Sequence, residues 1–363
     1  MATKVMDYKS SLTIILTLKD RVGFTYRWMQ YMNDVRCPHH ILIADGGNDC
    51  VIEQHLGDHR NYPLLNYEYI RFRFDDSTKT YVDKLVSVLG LVRTDYVLLA
   101  DNDDFYLLHA IPEILFFLDT NPEYVGGRGQ HLSLSLADES GPEAPITKGD
   151  WYHAIGSVSP SIEYATAIER VEALCSNIKT YDYYMNWYSI FRTPVLEEVW
   201  RRLGTIPTQE VIVLEMLCLI FVLCNGKLKI FPENFYVRQV HPEVEHVRLV
   251  VGNEFLERMV IGNEFVHFGQ AVDGHLIYLS ASEKDRVLRA IAGWLEVFVS
   301  NIFLLRQRSL RSKFRKLERV FKSSLILQTL FSGLYLWLFN RLTSSGPRKR
   351  IRLPLLERYI LKL

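Results

Sequence analysis

The chain has 363 residues, 48% hydrophobic and 23% charged, with a formal net charge of zero. This ordinary globular profile excludes a chain too polar to bury a core, and the length suits about two domains, or one large domain with an appendage. The five cysteines are scattered and contain no CxxC pair; they indicate neither a zinc site nor a disulfide framework and fit a reduced, cytosolic compartment.

The opening MATKVMDYKSS has no apolar core of the kind a secretory signal needs, so none is expected. LTIILTL, Leu12 to Leu18, reads as a buried strand, and Phe24, Trp28, Met32 and Val35 then recur near helical spacing. HILIAD, ending at Asp45, is a second strand closed by Gly46 and Gly47, and YEYIRFR from Tyr67 is a third. Val82, Leu85, Val86 and Leu89 mark a helix, and DYVLLAD brings a strand to Asp101. Alternation of strand and helix predicts an α/β fold whose central sheet is mostly parallel and flanked by helices. Ligands of such sheets sit beyond the carboxyl ends of the strands, where Asp45 and the acids Asp101, Asp103 and Asp104 all fall. Carboxylates this crowded repel one another, so a positive partner is expected.

Ile111, Ile114, Leu115 and Leu118 predict a helix, and YVGGRGQHLSLSL a further strand. Residues from about 137 to 179 give no clear element. The aromatic stretch YDYYMNWYSIFR, Tyr181 to Arg192, is read either as core or as a stacking surface for a sugar. Val211 to Leu223 is an apolar helix carrying Glu215, stopped by Asn225 and Gly226, and KLKIFPENFYVRQVH follows as strand and loop. Composition changes near Glu243. Beyond it, Ser282 and Asp285 are placed to cap a long helix running to Leu305.

From Leu304 onward there are fifteen Lys and Arg against two Glu, flanking an apolar run from Leu325 to Phe339. That run falls short of the roughly 20 apolar residues a spanning helix needs. The pattern predicts an interfacial helix on an anionic membrane, with a merely solvated face as the plainer reading. No nucleic-acid module is recognisable, so no nucleic-acid partner is expected.

Taken together, LTIILTLKDR, ILIADGG, YVLLADNDD and LEMLCLIFVLCNGKLKIFP…YVRQVH stand in the order found in family 2 glycosyltransferases. From Ser11 to His241 the chain resembles that family and its GT-A fold, a Rossmann-like sheet flanked by helices. The resemblance implies a glycosyltransferase domain over 1–243, with a nucleotide-sugar half to about 130 and an acceptor half from 131. A helical, basic, membrane-associating region then occupies 244–363. It implies Mn²⁺ or Mg²⁺ as cofactor, with Asp103 as principal ligand, Asp101 on the ribose or a metal-bound water, and Asp104 in support. Hard divalent ions take carboxylate and diphosphate oxygens, which suits that role. Asp45 would meet the nucleobase, Lys84 the donor, and His241 and Arg238 the metal or diphosphate.

For each of these a plainer reading stands beside the implied one: Asp45 as a turn residue, Asp104 as a helix cap, Lys84 as a solvated helix residue, His241 as a loop histidine. The family carries a Glu-Asp pair whose second member is the base. Counting back from Gly226, Leu214 and Glu215 stand there, so the first acid is absent and Glu215 is the implied base, with Glu210 competing. The implied reaction is inverting transfer of a sugar from a nucleotide donor to a saccharide or lipid-linked acceptor, on the cytoplasmic face of a membrane, with surface polysaccharide synthesis as the role that family analogy suggests. Two alternatives stay open: transfer of a polyol phosphate on the same fold, and a non-catalytic nucleotide- or sugar-binding scaffold.

Overall fold

The computed structural model describes residues 11–136, 149–152, 160–176, 184–240 and 264–305. Strands β1 (Leu12–Leu18), β2 (His40–Asp45), β3 (Tyr67–Arg71) and β4 (Tyr96–Asp101) alternate with helices α1 (Val22–Asp34), α2 (Cys50–Leu56) and α3 (Thr78–Leu89). All three pairings within this group are parallel. Parallel neighbours need long crossovers, and here each crossover contains a helix. β5 (Phe105–Tyr106) and α4 (Ile111–Thr120) follow, then β6 (Tyr124–Leu136), β7 (Gly149–Tyr152), α5 (Ala167–Ser176), β8 (Ile190–Arg192), α6 (Thr193–Leu203), α7 (Val211–Asn225) and β9 (Lys227–Val240). The last described elements are α8 (Glu264–His275) and α9 (Ala281–Leu305).

The nine described strands form one sheet in the order β3-β2-β1-β4-β8-β6-β9-β5, with β7 on β6. The expectation of a mostly parallel sheet holds for the first four strands. Beyond β4 the sheet is mixed: β8 is antiparallel to both β4 and β6, β5 to β9, and β7 to β6, while β6 and β9 are parallel. The switch comes where the short β8 inserts beside β4. Gly126 of β6 permits it, because a Cβ there would lie 2.6 Å from Phe191 Cδ1.

The sheet is covered on both faces. Alternate residues of β1 and β4 go to opposite sides: Ile15, Val97 and Leu99 pack with α3, α5, α6 and α7, whereas Ile14, Leu16 and Leu98 pack with α1, α2 and α4. Trp28 and Trp200 fill the two sides and are fully buried. The α7 helix is buried nearly all round, which explains its unbroken apolar sequence.

Helices α8 and α9 belong to the core beneath α7. Phe268, Val272, Leu276, Val287, Ile291 and Trp294 join the same buried cluster as Leu217 and Phe221. Arg286 holds Glu172 of α5 with two hydrogen bonds of 3.0 and 2.7 Å. The cap of α9 differs from the Ser282 and Asp285 expectation. Ser280 Oγ accepts from Glu283 N, and Glu283 Oε2 accepts from Ser280 N at 2.7 Å, so the capping box lies two residues earlier. The expected boundary at 243, residue His241 and the basic tail from Arg306 lie outside the described residues. Among the described residues no helix is long and apolar enough to cross a membrane.

Because α8 and α9 share the main core, Trp294→Ala should lower the stability of the whole α/β body by about 3–5 kcal/mol. Urea denaturation followed by both fluorescence and circular dichroism should show one shifted transition; an early, separate transition for the helices would contradict this.

Candidate functional site

β1, β2 and β4 end side by side, with Thr17 opposite Asp101 and Leu18 opposite Asp45. The turn after β1 fastens these ends together. Lys19 lies over the Phe74 ring, Asp20 Oδ1 accepts from Asn48 N at 2.9 Å, and Arg21 reaches Asp103. Asp20 and Arg21 both adopt φ of 58°, the left-handed region that non-glycine residues rarely enter. Gly47 lets the second turn close on the first, since a Cβ there would sit 2.7 Å from the Asp20 nitrogen.

The acids after β4 converge. Asp101, Asp103 and Asp104 can each offer an oxygen such that all three lie within 4.8 Å of one another. Asp101 accepts from Tyr188 at 2.7 Å and from Thr17 at 3.1 Å. Asp103 accepts from Arg21 Nη1 at 2.8 Å. Asp104 is buried and accepts from the Tyr236 hydroxyl and, at 2.8 Å, from Gln239 N. Burial, then the neighbouring Asp103 charge, pushes the Asp104 carboxyl well above the usual carboxylate range, and Arg238 opposes this. Asp104 therefore does not cap α4, whose N-cap is Ala110. It ties the acid turn to β9, which the pairing of Phe105 with Val237 brings alongside.

The positive partners are arginines. Arg27 is buried, lies over the Phe24 ring at 4.8 Å and donates to Gln239 Oε1 at 2.7 Å. Burial lowers its pKa to about 10 while Asp103 and Asp104 hold it up, so it stays cationic at neutral pH. Tyr188 and Tyr236 stack with centroids 4.4 Å apart and fix two of the acids through their hydroxyls. Arg21, Arg27, Tyr188, Tyr236 and Gln239 were not singled out in the sequence. Tyr188 belongs to the aromatic stretch of Tyr181 to Arg192, in which its neighbour Trp187 packs edge-on to Trp200 in the core.

Asp45 is fully buried. Its carboxylate accepts from Gly47 N at 2.7 Å, Tyr69 at 2.6 Å and Arg71 at 3.3 Å. Any contact from this carboxylate to a base would need Tyr69 or Arg71 to move. Lys84 is not a solvated helix residue: it is buried, donates to Leu18 O at 2.9 Å and forms an ion pair with Asp75. Burial pushes Lys84 down and Asp75 up, each toward its neutral form, and their attraction opposes both shifts. The pair binds the loop after β3 to the end of β1. Arg238 lies close enough to Asp104 to act on it electrostatically.

Glu215 is half-buried on α7. Its charge acts on Tyr81 and Tyr188, two of the phenols on which Asp101 also acts. Glu210 is buried at the start of the helix, where its amide donates to Thr208 Oγ1.

The three aspartates fit a hard divalent cation by their chemistry, and they differ in availability. Asp104 is closed off by Tyr236 and Gln239, whereas the Asp103 side chain is 14% exposed and faces the half-open Arg21. Asp103 and Asp101 could hold a cation, with Asp104 anchoring the turn beneath them.

No protein-family model and no curated protein matches this chain. Among solved structures it is similar to S. aureus TarS 1-349 in complex with UDP-GlcNAc, at 12% identity and a TM-score of 0.47, over 94% of this chain and 96% of that one. A second S. aureus TarS structure, at 11% identity and a TM-score of 0.41, pairs 80% of this chain with only 54% of its own. The mannosyltransferase PcManGT from Pyrobaculum calidifontis, in complex with GDP-Man and Mn²⁺, is 11% identical with a TM-score of 0.46, over 91% and 81% of the two chains. Likeness this distant carries no argument for function.

The buried ion pair generates a sharp expectation. Lys84→Met strands Asp75 in the interior and should cost about 3–5 kcal/mol, while the double variant Lys84→Met, Asp75→Leu should recover most of it. Chemical denaturation of the three proteins measures this; equal losses in the single and double variants would refute the pairing.

Proposed function

We propose that this protein is a metal-assisted glycosyltransferase that takes a nucleotide-sugar donor at the ends of β1, β2 and β4. The observation that carries the reading is the convergence of three carboxylates at one strand end, held by residues of β9 and of the turn before α1. The family pattern met in the sequence, including the DxD spacing of Asp101 and Asp103, supplies the chemistry.

In this reading Asp103 and Asp101 hold Mn²⁺ or Mg²⁺, which when bound neutralises charge on the departing nucleoside diphosphate. Asp104 and its partners keep the backbone of the turn in place, so the ligands are held in position for the ion. Arg238 adds positive charge on the β9 side, and Asp45 with Tyr69 and Arg71 walls the nucleoside end. Lys84 shapes the donor floor through Asp75. Glu215 accepts the proton of the acceptor hydroxyl as that oxygen bonds to the anomeric carbon. The bond from that carbon to the diphosphate breaks on the opposite side, and its electron pair leaves with the diphosphate. The configuration therefore inverts. The acceptor class, a saccharide or a lipid-linked saccharide, follows from the same analogy.

Two substitutions separate the roles. Asp103→Asn should abolish Mn²⁺-dependent binding of a UDP- or GDP-sugar in calorimetry and leave the fold intact. Glu215→Gln should keep that binding and lose turnover by about 10²-fold or more. Undiminished donor affinity in Asp103→Asn would end the metal reading. Full turnover in Glu215→Gln, with loss in Glu210→Gln, would move the base to Glu210.

A further inference from the structure

Arg21 combines a fixed backbone with a half-exposed, engaged side chain. Its carbonyl accepts from Thr25 N at 3.1 Å, as α1 begins, and from Asn102 Nδ2 at 3.5 Å. Asn102 is itself buried and also donates to Thr25 Oγ1 at 3.0 Å. The residue between the two leading acids therefore clasps the turn that carries Arg21. The pivot is held, but the Arg21 side chain is 29% exposed, and its guanidinium reaches Asp103 Oδ2 at 2.8 Å. Asp103, with its side chain 14% exposed, is more open to a cation than the buried Asp104. A guanidinium and a divalent ion cannot both take the same oxygen lone pair at full strength, and two positive charges so close repel.

We propose that Arg21 and the divalent cation compete for Asp103, and that the displaced guanidinium becomes a positioning group for the donor diphosphate. This rests on the donor-site reading above. In the free protein Arg21 neutralises Asp103 and keeps the acid turn from repelling itself apart. A cation held by Asp103 would release the guanidinium beside that carboxylate, where it would be free to donate to the oxygens of a donor diphosphate. Planar guanidinium donors suit those oxygens. Metal alone then binds weakly, and metal with nucleotide binds well, so the pair loads cooperatively.

The test is the affinity of the full chain for Mn²⁺ alone and for UDP or GDP with saturating Mn²⁺, measured by calorimetry in wild type, Arg21→Ala and Arg21→Lys. Arg21→Ala should bind Mn²⁺ alone about fivefold more tightly, the size of a partly exposed ion pair. The same variant should bind the nucleotide about tenfold more weakly once Mn²⁺ is present. Arg21→Lys keeps the charge and should stay near wild type for metal. The two opposite signs exclude misfolding as the cause, since a damaged site does not gain metal affinity. Unchanged or weaker Mn²⁺ binding in Arg21→Ala, in a chain whose wild type binds Mn²⁺, overturns the Arg21 proposal and leaves the donor-site reading standing. A wild type that takes up no Mn²⁺ overturns both.

Discussion

A buried carboxylate is the constraint on which the site depends. Asp104 lies away from water, and an unpaired charge there would be prohibitive. It is tolerated because β5 pairs with β9 and so delivers the Tyr236 hydroxyl and the Gln239 amide to its two oxygens. The same pairing places Gln239 against the buried Arg27 of α1. One acid turn is thereby bound to β9 and to α1 together. The rim residues Asp101 and Asp103 inherit their positions from this anchor.

Around it the fold distributes labour between its two halves. The parallel half, β1 to β4, lines up strand ends and turns, a geometry that places polar groups in one crevice. The mixed half closes the crevice from the other side: Tyr188 arrives just before β8, and Tyr236 and Arg238 arrive on β9. The stacked tyrosines join the two halves directly, each hydroxyl serving a different acid. Glu215 on α7 acts electrostatically on Tyr188, so the proposed donor and acceptor sides share that tyrosine as a neighbour.

The electrostatic logic is local, although the chain as a whole is neutral. Asp103 and Asp104 face arginines from two segments, Arg21 and Arg27 from the start and body of α1 and Arg238 from β9, and the ion pair of Lys84 and Asp75 lies by the end of β1. Buried pairs of this kind add little net stability over an apolar replacement, yet removing one partner is costly. They fix where loops sit more than how firmly the chain folds.

Much of this was legible in the sequence. The strands ending at Leu18, Asp45 and Asp101, the helices α1, α3, α4 and α7, and the acid cluster follow from apolar periodicity and from acids placed after buried runs. These are properties of neighbours in the chain, and a window of residues contains them. What only the tertiary structure decided was partnership. Arg21 is 82 positions from Asp103, and Tyr236 is 132 positions from Asp104. No local pattern marks Lys84 as buried rather than solvated, or moves the cap of α9 from Ser282 to Ser280. The mixed order of the second half was equally hidden, because β8 is three residues long and pairs by where the chain returns, not by what it contains. Sequence specifies which residues want a charge, a hydroxyl or an apolar neighbour; long-range closure of the sheet alone chooses which residue supplies it.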